Sequence, residues 1–116
     1  MEKKFEIEFL KGVDEFMETL DQKAKQKILY NIKAAQFSHN PELFKKLNYE
    51  IWEFRTLFNK THYRLFAFWD NESGALVVAT HGLIKKTDKT PSSDIEKAQR
   101  LRKEYFITKN SKNEKD

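Results

Sequence analysis

Arg55, Arg64 and His81 fall on three successive segments that read as strands, and a lysine pair, Lys85-Lys86, follows the third. Arg64 shares its face with His62, Phe66 and Phe68, while Arg55 points opposite to Trp52 and Phe54, toward the less buried side. Hairpin strands run roughly 5 Å apart, so Arg55, Arg64 and His81 can converge on one patch if the register allows it. Two guanidinium groups, an imidazole and nearby ammonium groups suit a phosphodiester. An arginine fork clamps a phosphate and offsets the charge that grows on a pentavalent phosphorus. A lysine crowded by positive charge can protonate a leaving oxygen, and a neutral histidine or Glu53 can accept the proton of a 2′-hydroxyl. RNA brings its own nucleophile, so this chemistry calls for neither a metal nor a protein nucleophile. The plainer alternative pairs Arg55 and Arg64 across strands with Glu53 and Glu50 and leaves His81 as a strand-end residue. Tyr63, opposite to Arg64, and Tyr49 or Tyr105 can stack on bases or simply pack.

Other chemistries lack their residues. The 116-residue chain has no cysteine, which excludes disulfides, a thiol nucleophile and a thiolate metal site. It has no Gly-rich phosphate loop, no dinucleotide fingerprint and no His-Glu-x-x-His helix. His39, His62 and His81 are too scattered for a metal centre, and Ser73 and Ser92 sit in no nucleophile elbow. Neither a metal nor another cofactor is expected. Charge is segregated along the chain. The net formal charge is +4, but the first twenty residues hold three lysines against six acidic residues, whereas residues 21–36 and 44–64 each carry +3. Such a surface can attract a polyanion over part of its area, or be an ordinary lysine-rich exterior. The longest uncharged run, between Glu72 and Lys85, is broken by Gly74, Thr80, His81 and Gly82, and the start of the chain lacks an apolar stretch. No membrane association and a cytoplasmic location are therefore expected.

The elements that must position these residues are legible from periodicity. Phe5, Ile7 and Phe9 alternate with Glu6 and Glu8, a strand with one wet face. Gly12 lets the chain turn, and Val13, Phe16, Met17 and Leu20 recur at helical spacing. Asp21 is a candidate N-cap for a second helix that carries Ala24, Ile28, Ile32 and Ala35 inward. Residues 37–49 read as a connector with one helical turn, since Leu43, Phe44 and Leu47 can share a helical face. Three strands follow, over Glu50 to Phe58, His62 to Trp69 and Ala75 to Leu83, joined by turns at Asn59-Lys60-Thr61 and Asp70 to Gly74. Thr90-Pro91 opens a final helix, with Thr90 as its cap and Ile95, Ala98, Leu101 and Tyr105 or Phe106 along its seam. The predicted class is α+β in two layers, order β-α-α-β-β-β-α. A four-stranded, largely antiparallel sheet carries an N-terminal helical hairpin and a C-terminal helix. One domain is expected over 1–108, with a polar disordered tail over 109–116.

Four segments carry a family likeness. Ile51-Trp52-Glu53-Phe54-Arg55, then Tyr63-Arg64-Leu65-Phe66-Ala67-Phe68, then Thr80 to Pro91 with its Lys-Lys-Thr-x-Lys-Thr-Pro core, then Asp94-Ile95-Glu96-Lys97-Ala98 resemble the phage-derived, HigB-like branch of the RelE/HigB toxin superfamily. These are toxins of bacterial type II toxin–antitoxin pairs, and the resemblance spans about Phe5 to Phe106. It implies a metal-independent, ribosome-dependent endoribonuclease (an mRNA interferase) that inhibits translation by cleaving the messenger in the A site. The 2′-hydroxyl attacks the scissile phosphate. By motif, it implies Arg64 as transition-state stabiliser, Arg55 as phosphate holder, His81 as an orienting or proton-exchanging group, and Lys85 as a substrate contact or acid. Lys86 and Lys89 would touch substrate phosphate, Lys45 and Lys46 ribosomal RNA, with Tyr63 and Glu53 as further RNA-binding candidates. It also implies a cognate helix-turn-helix antitoxin, with the toxin monomeric when free and hetero-oligomeric when neutralised. Apolar positions beside Arg55, such as Ile51 or Leu57, are candidate antitoxin contacts. The related ParE group shares the fold and targets gyrase, so a gyrase inhibitor or a non-catalytic interaction protein is the alternative.

Overall fold

A computed structural model describes residues 2–86 and 89–114. The elements are β1 (Glu6–Phe9), α1 (Lys11–Glu18), α2 (Gln22–Ala35), β2 (Phe44–Lys46), β3 (Trp52–Phe58), β4 (Thr61–Asp70), β5 (Leu76–Lys85) and α3 (Ser92–Glu114). They form an α+β fold around one five-stranded sheet in the order β1-β5-β4-β3-β2. β1 pairs with β5 in parallel and all other neighbours are antiparallel.

Most local expectations hold. Asp21 caps α2 by accepting a hydrogen bond from the Ala24 amide at 2.8 Å. Ala24, Ile28, Ile32 and Ala35 are the buried positions of that helix, as the 3.6-residue period requires. Asn59 and Lys60 both have positive φ, which makes the β3–β4 connection a two-residue hairpin whose twist matches its strands. Asp70 accepts from the Glu72 and Ser73 amides and so shapes the short 3₁₀ turn Asn71–Ser73, which Gly74 leaves at φ +80°.

The sheet has five strands and not four, because β2 arises within the stretch expected to be a connector with a helical turn. Local spacing admits either form for so short an apolar run. Aromatic packing decides it: Phe44 stacks on Phe54 at 4.3 Å and on Trp52 at 4.8 Å, and lies 5.4 Å from Phe5. The polar tail expected from residue 109 is also corrected. α3 runs on through Glu114, and Lys109 is tied to the buried Asp70 at 2.8 Å. Residues 115 and 116 lie outside the described residues.

Both faces of the sheet are covered. On one, α1 and α2 bury Val13, Ile28 and Ile32 against Phe54, Leu65, Ala67, Val77 and Ala79. On the other, Ala98 of α3 packs with Ile51, Phe66, Phe68 and Val78. Each large apolar side chain removed from water in this way contributes about 1.5–3 kcal/mol. Helices on both faces make three layers where two were expected, and α3 corrects the expectation of a less buried face on β3, since Ile51 and Glu53 are as buried as the core. Ile51 is therefore no exposed antitoxin contact, whereas Leu57 remains exposed. Among the described residues, no helix is long and apolar enough to cross a membrane.

Candidate active site

The chemistry-bearing residues stand on the α3 face of the three central strands. Register places Glu53, Phe66 and His81 in one cross-strand row, Arg55, Arg64 and Leu83 in the next, and Leu57, His62 and Lys85 in the third. Adjacent strands are roughly 5 Å apart and adjacent rows roughly 7 Å.

A β-bulge creates this arrangement. Phe66 pairs with His81 but Ala67 pairs with Ala79, so Thr80 is an extra residue in β5. Without it, strict alternation from Ala79 would turn His81, Leu83 and Lys85 toward α1 and α2. The bulge reverses the parity of the rest of β5 and brings them onto the arginine face. It also leaves Gly82 facing α1, where Phe16 fills the space that a Cβ would need.

Arg55 and Arg64 are directly opposed. Like charges in that position repel, and Glu53 offsets them from the neighbouring row. Its carboxylate lies 2.8 Å from Arg64 Nε and 3.7 Å from Arg55 Nε. The Arg64 contact is an ion pair that lacks a hydrogen-bond angle, so Nε holds charge without a satisfied donor. Glu53 Oε2 accepts from the Thr90 hydroxyl at 3.1 Å, and Thr90 in turn accepts from Lys85 Nζ at 3.4 Å. Thr90 was expected to cap the last helix; its hydroxyl is engaged with Glu53 instead, and α3 starts at Ser92. The Arg64 side chain is only 4% exposed. Burial, which disfavours its charge, pulls its pKa below the ordinary arginine value, with Glu53 opposing that pull and Arg55 adding to it. Buried ionic clusters are seldom the most stable filling of a core, which points to a use other than stability.

The arginines open onto a cleft of about 460 Å³. It forms because β2 pairs only with Trp52 to Phe54, so among the described residues the outer edge of β3 is bare beyond the bond from the Arg55 amide to the Leu43 carbonyl. Lys27 and Asn31 of α2, Glu42, Arg55, His62 and Arg64 line it.

His81 stands on the same sheet face but neither bonds to this network nor lines the cleft. It is 4% exposed and stacks on Phe66 at 4.8 Å. Its Nδ1 lies 2.8 Å from Thr80 Oγ1 and its Nε2 lies 3.1 Å from Asp94 Oδ1. Burial is the main cause of its lowered pKa, partly opposed by the bond to Asp94. In the neutral ring with Nε2–H donating to Asp94, Nδ1 competes with the Phe66 carbonyl, 3.3 Å from Thr80 Oγ1, for the single Thr80 hydroxyl proton. The His81–Asp94 pair holds the first turn of α3 on the sheet.

A family model described as phage-derived protein, Gp49-like (DUF891), matches residues 15–103, which is most of the chain and includes every residue of this network. The chain belongs to the Gp49-like family. This is in general a RelE/HigB-like toxin family, so the resemblance drawn from the sequence stands at that coarser level. No curated protein matches the chain.

The remaining candidates of this Gp49-like chain are placed as follows. Lys86 and Lys89 are exposed beyond β5. Thr87 and Asp88 of the same motif lie outside the described residues. Lys45 and Lys46 are exposed on β2, with Lys45 opposite Glu53 and Lys46 opposite Trp52. Tyr63 is half-buried on the α1/α2 face, packed against the core there, and is not brought to the arginines. Sequence reasoning passed over Lys27 and Asn31, which reach the cleft from a remote helix, and Thr90 as a partner for Glu53. It noted that His62 shares parity with Arg64 but gave it no role; that parity was the available signal. Among the described residues, no group of three or more His, Asp or Glu side chains is placed to hold a metal ion.

Proposed function

We propose that this protein is a HigB-like toxin of a type II toxin–antitoxin pair that cleaves messenger RNA in the ribosomal A site. The observation that carries the reading is the opposed Arg55–Arg64 pair, held by Glu53 at the floor of an open cationic cleft. In this reading the scissile phosphate enters from the bare edge of β3. The 2′-oxygen bonds to phosphorus, the bond to the 5′-oxygen breaks, and a cyclic phosphate and a 5′-hydroxyl result. Arg64 offsets the charge that develops on the phosphorane oxygens, and Arg55, which is 30% exposed, holds the entering phosphate. Lys85 and Thr90 position Glu53, and Glu53 positions the arginines. His81 acts here by seating α3. Lys86, Lys89, Lys45 and Lys46 supply nonspecific attraction to the RNA backbone. Acting on ribosomes in the cytoplasm, such a protein requires a neutralising partner, in this reading a helix-turn-helix antitoxin that covers the cleft.

The test is a reconstituted translation reaction on a defined messenger, with new 5′ ends mapped with and without ribosomes. Cuts at the A-site codon that need ribosomes and vanish in Arg64→Ala are expected. An intact messenger in the presence of folded protein would overturn the reading in favour of a gyrase-directed or non-catalytic protein, and supercoiling by gyrase would be measured next.

A further inference from the structure

We infer that His62 is the proton-accepting residue of the cleft, a role that rests on the proposed ribonuclease reading. Of the three histidines, His81 is buried with both ring nitrogens engaged. His39 is exposed in the loop after α2, outside the cleft lining. His62 is exposed, lies on β4 two residues from Arg64 on the same face, and lines the same cleft as Arg55 and Arg64. Alternate residues of a strand are about 7 Å apart. A phosphate seated on the Arg64 guanidinium therefore brings an adjacent ribose within reach of the imidazole. No hydrogen bond to the His62 ring is present among the described residues, and the exposed side chain lines the cleft.

Imidazole is the side chain that exchanges a proton near neutral pH. In the step assigned to it, the neutral ring takes the proton of the 2′-hydroxyl as the 2′-oxygen bonds to phosphorus. The bond from phosphorus to the 5′-oxygen breaks, and the departing oxygen takes a proton from water. The imidazolium then returns its proton to solvent. The charged groups that face the ring are Arg64 on its own strand, Lys85 and Arg55 on the flanking strands, Lys27 from α2 and Glu42 from the loop before β2. Glu53, the other candidate base, is only 1% exposed and is already shared by two arginines and Thr90.

The experiment measures single-turnover cleavage of ribosome-bound messenger by the full chain from pH 5 to 9, for wild type, His62→Gln, His62→Ala and Arg64→Ala. Thermal unfolding confirms that each variant is folded. His62→Gln is expected to lower the rate about 10²- to 10⁴-fold, the usual worth of a positioned base. It should also change the shape of the pH–rate profile, because the group that accepts the proton is gone. Added imidazole should restore part of the rate to His62→Ala, which a purely structural role would not allow. A His62→Gln protein that keeps the wild-type rate and pH profile, while Arg64→Ala is inactive, overturns the role of His62 and leaves the ribonuclease reading standing. Wild-type protein that cuts nothing overturns both.

Discussion

Replacing Glu53 with glutamine removes the one negative charge between two opposed guanidinium groups while keeping the shape of the side chain. Glu53 is 1% exposed, lies 2.8 Å from Arg64 Nε and 3.7 Å from Arg55 Nε, and accepts from Thr90. Once it is neutral, two cationic side chains on directly paired residues remain. At a separation of about 5 Å and an effective dielectric constant of about 20, their repulsion is roughly 3 kcal/mol. Arg55 is partly exposed and relieves some of this by moving outward. Arg64, at 4% side-chain exposure, has no such route and is left as a buried, uncompensated cation. Breaking one partner of a buried ion pair costs about 3–5 kcal/mol, so the lower end of that range fits here. For a domain of this size each kcal/mol shifts the melting temperature by roughly 4 °C, which puts Glu53→Gln roughly 12 °C below wild type. Thermal unfolding followed by circular dichroism, on Glu53→Gln, Arg64→Met and the double variant, checks the value and its origin. The double variant should lose about 2 kcal/mol less than the sum of the single losses, because its second change removes the stranded charge. A melting temperature within about 2 °C of wild type for Glu53→Gln, or strict additivity in the double variant, would refute the reasoning.

Arg64→Ala should cut A-site cleavage on the order of a hundredfold, the effect of losing one transition-state donor; rates equal to wild type in a folded variant would remove Arg64 from its role. Asp70 is buried, and although burial alone would raise its pKa, hydrogen bonds from Lys109, Tyr105 and Ser73 bring it from 3.8 down to about 2. Because the folded value is the lower one, Asp70 contributes about 2 kcal/mol above about pH 4 that is lost as pH falls toward about 2. Asp70→Asn should be less stable than wild type at pH 7 and match it near pH 2 in urea titrations, and a constant difference across that range would contradict the assignment. Gly82→Ala should cost about 1–3 kcal/mol in urea unfolding, because the new Cβ runs into the Phe16 ring. An unchanged midpoint would show that α1 yields freely at that position.

Features set by neighbours in the chain were legible without the structure. The alternation of Phe5, Ile7 and Phe9, the inward stripe of α2, the cap at Asp21, the turn at Asn59-Lys60 and the shared parity of His62 and Arg64 all depend on a few adjacent residues. Their physical basis is the fixed period of helix and strand and the short reach of a capping hydrogen bond. What tertiary structure decided involves partners far apart in sequence. Phe44 becomes part of a strand because Phe5, Trp52 and Phe54 form an aromatic surface for it. The first strand joins the sheet beside the last, in parallel, which no local pattern specifies. Glu53 is buried because α3, some forty residues later, covers a face that alternation alone shows only as mixed. The single extra residue Thr80 turns His81 and Lys85 onto the arginine face. A strand's side chains change faces with every one-residue shift of pairing, and such a shift is registered only in hydrogen bonds to another strand. Sequence by itself thus determined which arginines and histidines are candidates and the three central strands that carry them; only tertiary structure decided which of them face one another, and which histidine meets the cleft.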